Sequence, residues 1–199
     1  MVDAAKDHLL ANRFDPDKIR VVKPGVDTSV FFPGEQEHST PTVVFISPLA
    51  PNKGIDIVLA AMKIVQVHIP EARLLVAGRG PLEPEVRQAQ ADPKQTAALM
   101  ASLDAFGVGE LLRRGSCGLP VVTTRCGSNE EAIAPGNDLI SDYSVEAIAD
   151  KIIYWLTHRT ERTAQGEANA VWARTNHDLL TQCRAMGQAF TDIEALNGR

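Results

Sequence analysis

Residues 45–81, FISPLAPNKGIDIVLAAMKIVQVHIPEARLLVAGRGP, constrain the fold more than any other stretch. Thr42 to Ile46 is a short apolar run rich in β-branched residues and reads as a buried strand. Leu74 to Ala77 reads as the next. Between them Ile55, Val58, Leu59, Met62 and Val65 recur at helical spacing and form one apolar face. Pro48, Pro51 and Asn52 impose a loop after the first strand, with Asn52 placed to cap a helix starting near Gly54. Pro70 ends that helix, and Gly78 and Gly80 turn the chain after the second strand. Strand, helix and strand of these lengths make a βαβ unit, which implies a parallel sheet covered by helices. The expected fold class is α/β, a Rossmann-like parallel sheet with helices on both faces.

The flanking segments are read against that unit. Residues 1–14 are expected to be helical, broken by Asp15, Pro16 and Asp17. Ile19, Val21 and Val22 suggest a short strand before the Pro24-Gly25 turn. Residues 33–41 form a polar linker. Glu83 to Ala91 and Gln95 to Leu103 are expected helices, and no strand stands out between Ala77 and Pro120. That interval is longer than the roughly 30 residues of one βαβ unit. A short helix is expected over Glu110 to Arg114, stopped by Gly115. Val121 to Thr124 and Asp138 to Ile140 are expected strands. Val145 to Thr157 is an amphipathic helix with Ile148, Ile152 and Trp155 on one side. Leu179, Cys183, Met186, Phe190 and Ile193 run down one face of a last helix. The expected organisation is a lead-in (1–41), a Rossmann-like core (42–160) and C-terminal helices (161–199).

Composition excludes several classes. The net charge of −5 leaves no basic excess to neutralise a nucleic-acid backbone. No apolar run reaches the roughly 18 residues of a membrane helix, and the N-terminus does not read as a signal peptide. Three cysteines without paired spacing argue against a disulfide framework and point to a reduced, cytoplasmic setting. No Cys/His cluster has zinc spacing, and neither metal nor cofactor is expected.

Open α/β sheets bind ligands beyond the C-terminal ends of their strands. The loops 47–54, 78–81, 104–110 and 125–131 therefore converge on one edge. Helix N-termini there favour anions. Lys53, just before a helix, reads either as a phosphate grip or as a solvated surface lysine. The Gly78 and Gly80 pair falls short of a dinucleotide fingerprint. Asp104, Glu110, Glu130 and Glu131 are carboxylates at loops and helix starts, suited to sugar hydroxyls or simply to capping. The five histidines read as structural or exposed.

Taken in order, KIRVVKPGVDTSVFFPG, VVFISPLAPNKGIDIVLAAM, ARLLVAGRGP and FGVGELLRRGSCGLPVVTT resemble the C-terminal half of a GT-B glycosyltransferase of the family 4 type, over most of residues 13–160. The resemblance implies a domain that binds a nucleotide-diphospho-sugar and transfers a hexose with retention, without a catalytic metal. A second domain would bind the acceptor. It assigns Lys53 to the donor diphosphate, the Phe106-Gly107-Val108 loop to sugar and phosphates, and Asp104 to sugar hydroxyls in place of a glutamate. Gly78 and Gly80 would line the donor site, and Lys53 and Asp104 would carry catalysis.

Departures from the family pattern are specific. Ser47-Pro48 stands where Gly-Arg is usual, so a second diphosphate cation is missing, and proline also lacks an N–H. Leu112 stands at the position of the family's ribose-binding glutamate, leaving Glu110 as the nearest carboxylate. Strand-helix units are absent between the glycine turn and the Phe106 loop. The expected partners are a nucleotide-sugar and either an acceptor-binding domain or a second copy. The alternative is a degenerate, non-catalytic relic or interaction module of the same fold. A dehydrogenase fits poorly, because no GxGxxG follows the first strand.

Overall fold

The computed structural model describes residues 2–34, 40–91, 97–100, 115–124, 129–140 and 144–197. Helix α1 spans Val2–Ala11, and a 3-10 turn over Pro16–Lys18 follows, capped by the Asp15 side chain. The βαβ unit is formed as its period demands. Strand β1 (Thr42–Ile46) leads through a loop into helix α2 (Ile55–His68), and strand β2 (Arg73–Ala77) follows. The strands run parallel, Thr42 opposite Arg73 and Ile46 opposite Ala77. Helix α3 covers Glu83–Ala91, as its sequence predicts.

The next element corrects the sequence reading. Ala97–Met100, expected within a helix, forms strand β3, parallel to β2 on the edge away from β1. Four residues without strong strand propensity become a strand because β2 offers them an open edge, so pairing overrides propensity. The reverse happens to Ile19, Val21 and Val22. They lie outside any strand, and the first pairing of this segment is the single bridge between Val26 and Asp178.

Strand β4 (Val122–Thr124), helix α4 (Asn129–Ala132) and strand β5 (Asp138–Ile140) form a second unit, β4 and β5 parallel to each other. The expected helix over 110–114 lies outside the described residues; Gly115 and Ser116 are themselves helical, so the stop expected at Gly115 is not seen, and the turn comes at Gly118, whose φ is 75°. Helices α5 (Val145–Thr157), α6 (Arg159–Asn176) and α7 (Leu179–Asn197) complete the chain. Ser144 caps α5 by accepting from the Ala147 amide.

The two sheets share one core. Ile55, Met62 and Val65 of α2 bury with Leu74 and Val76 of β2, Ile140 of β5, and Ile148 and Ile152 of α5. Trp155 is also buried, and its indole N–H donates to Asp138 Oδ2 at 2.6 Å. Strand β1 is only half-buried. Among the described residues it pairs with β2 alone.

A polar network holds the second unit to α6. Asn137 Oδ1 accepts from the Val121 amide at 2.8 Å, and Asn137 Nδ2 donates to Asn169 Oδ1 at 2.6 Å. Asn169 Nδ2 in turn donates to the Leu119 carbonyl at 2.7 Å. Gly166 allows this approach, because a Cβ there would fall on the Gly118 carbonyl. Chain ends are tied at buried His177, whose ring nitrogens lie 3.0 Å from the Pro24 carbonyl and 3.2 Å from the Glu131 carbonyl. Its own carbonyl accepts from the Val26 amide at 2.8 Å.

The apolar stripe expected on α7 is largely exposed. Phe190 is 63% exposed and Met186 48%. Phe190→Ser should therefore change the unfolding free energy by less than about 0.5 kcal/mol. Trp155→Ala should cost about 3–5 kcal/mol. Chemical denaturation of both variants checks the contrast, and equal losses would contradict this placement of the core. By the same method His177→Phe should cost about 1–3 kcal/mol by taking the ring N–H away from a buried carbonyl.

Candidate functional site

The sheet edge is built from two loops. Ser47 follows β1, and Gly78 follows β2, so both leave at the C-terminal ends of neighbouring parallel strands. The loops are bonded to each other through their backbones. The Ser47 amide donates to the Ala77 carbonyl at 3.1 Å, and the Leu49 amide to the Arg79 carbonyl at 2.8 Å. The Leu82 amide then returns to the Leu49 carbonyl at 3.0 Å.

This seating explains Gly78 and Gly80. A Cβ on Gly78 would fall on the Ser47 carbonyl, and one on Gly80 on the Leu49 carbonyl. The first need for these glycines is close backbone approach. The Leu49 side chain is wholly buried beneath the loop and anchors it in the core. Sequence reasoning passed over Leu49, although an aliphatic residue inside a proline-bounded loop was a usable signal.

Lys53 closes a 3-10 turn over Pro51–Lys53, with its amide donating to the Ala50 carbonyl at 2.9 Å. Its side chain is exposed. Gly54 follows with φ 75° and caps α2 without a side-chain hydrogen bond. Asn52 therefore does not cap α2 as expected; the intervening 3-10 turn places it one step too early. The amides of the first turn of α2 have no capping side chain, which suits an anion. Asp56 in that turn carries the opposite charge to Lys53.

Lys53, Gly78 and Gly80 thus lie on two loops bonded to each other. Asp104, Phe106, Gly107, Val108 and Glu110 lie outside the described residues, as do Leu112 and positions 125–128. A cleft of about 520 Å³ opens elsewhere, between α2 and α3, lined in part by Asp56, Lys63 and Glu85. Its lining includes neither Lys53 nor the glycine turn, and its two carboxylates do not suit a phosphate. Cys117 is half-buried, and desolvation raises its pKa, which argues against a reactive thiolate. No helix of the described residues is long and apolar enough to cross a membrane.

Comparison with known proteins adds the following. The family profile described as "Glycosyl transferases group 1" matches residues 40–158. A D-inositol 3-phosphate glycosyltransferase of Segniliparus rotundus is 30% identical, covering 92% of this chain and 51% of its own. The chain thus spans about half the length of that relative. The alignment runs over 230 positions, more than the 199 residues of the chain, so the relative carries segments without a counterpart here. Anabaena HepE in complex with UDP and glucose has the same fold, with a TM-score of 0.77 at 14% identity, covering 96% of this chain and 61% of its own. The C-terminal domain of LpcC, a group 1 family protein of Francisella tularensis, superposes with a TM-score of 0.64 at 20% identity. It is covered over its whole length by 78% of this chain.

Gly78→Ala should destabilise the chain by about 1–3 kcal/mol, because the clash is with backbone and cannot be relieved by a rotamer change. Thermal unfolding measures it. A variant as stable as the parent would contradict the close seating of the two loops.

Proposed function

The chain belongs to the group 1 glycosyl transferases, and from that premise we propose that it forms the donor-binding half of a retaining glycosyltransferase. Its ligand is a nucleotide-diphospho-sugar, and the group transferred is a hexose. The observation that carries this reading is the sheet edge itself. Two backbone-bonded loops leave neighbouring parallel strands, and Lys53 stands exposed beside the uncapped start of α2. Such an edge stabilises the negative charge that builds on a departing diphosphate, where catalysis of this kind gains most. The roles of Asp104 at the sugar hydroxyls, of Phe106, Gly107 and Val108 at the sugar and phosphates, and of Glu110 at the ribose rest on resemblance. The name of the Anabaena neighbour, crystallised with UDP and glucose, is consistent with such a ligand.

A second reading is a degenerate fold that has lost transfer activity. Pro48 in place of a cation and the only half-buried strand β1 favour it. Titration calorimetry with UDP, GDP and ADP separates the two. Micromolar binding of one of them, weakened about tenfold or more by Lys53→Ala, is the outcome expected of a donor site. Failure of all three to bind would establish the second reading instead.

A further inference from the structure

We propose that Arg79 is a second diphosphate-binding cation, working across the loop pair from Lys53. This rests on the donor-site reading above. A nucleoside diphosphate carries negative charge on both phosphates, and one ammonium group cannot neutralise both. The loop 47–54 offers Lys53 alone, since Ser47 and Pro48 bring no charge.

The backbone dictates where the next cation stands. Beyond the last register pair, Ile46 with Ala77, the two loops stay in step, and the Leu49 amide donates to the Arg79 carbonyl. Arg79 therefore faces the residue next to Pro48, on the edge from which Lys53 also emerges. Its neighbours on both sides are glycines, held free of side chains by the Ser47 and Leu49 carbonyls. Between Ala77 and Pro81 the guanidinium is thus the one side chain beyond a hydrogen atom, and Arg79 is exposed.

Other basic groups nearby do not fit the task. Arg73 sits at the opposite end of β2, paired with Thr42, about 13 Å of strand away. Lys63 lines the cleft between α2 and α3 together with Asp56 and Glu85. An arginine also suits the role chemically. Its planar fork grips phosphate oxygens in pairs, while Lys53 acts as a point charge.

Calorimetry on the intact chain tests the assignment, comparing UDP, GDP and ADP with their monophosphates. Arg79→Gln should weaken the bound diphosphate about tenfold or more while changing the monophosphate less than about twofold. Arg79→Lys should recover part of the loss. An unchanged unfolding temperature for Arg79→Gln would confirm that the fold is intact. Undiminished diphosphate binding by Arg79→Gln, or equal losses for diphosphate and monophosphate, overturns the role of Arg79 and leaves the donor site standing. A parent chain that binds none of the nucleotides overturns the donor site itself, and Arg79 with it.

Discussion

The candidate site depends on one backbone contact, the seating of the loop after β1 on the turn after β2. Three amide-to-carbonyl bonds make it, from Ser47, Leu49 and Leu82. Two glycines permit it, and the buried Leu49 side chain locks it to the core beneath α2 and β2. Buried backbone groups must find partners, and here each loop supplies partners to the other. The edge is consequently pre-shaped. Lys53 and Arg79 project from a frame set by strand register rather than from unanchored loops.

The second unit is held by different means. Its strands are only three residues each, too short to secure their position by pairing. The Asn137–Asn169 pair does this instead, joining the turn before β4, the turn before β5 and helix α6. A fully satisfied polar network specifies one arrangement, because any slip would leave buried amides unpaired. His177 has the same character at the junction of the lead-in, α4 and the α6–α7 corner. Its reading from sequence as a structural or exposed residue is met in the first sense.

Much of the fold was legible because its signals are local. Strand β1, helix α3, strand β5 and helix α5 lie where apolar period and breakers put them. On the sheet edge, Lys53, Gly78 and Gly80 were legible as loop residues beyond strand ends. The functional weight of Arg79 was not, since nothing in a one-dimensional pattern says that it faces Leu49. Strand β3 was missed for the same reason: four weakly biased residues take their conformation from the free edge of β2.

The sequence by itself therefore determined the βαβ unit, the family and the placement of a lysine at the head of α2. Those properties follow from side-chain period, turn chemistry and motif order along a short stretch. Tertiary structure alone decided which glycines exist to let backbones touch and which arginine faces Leu49. It also decided that the apolar stripe of α7 is largely exposed. The physical reason is that burial and charge pairing belong to the neighbours a residue meets in space, and pattern along the chain does not name them.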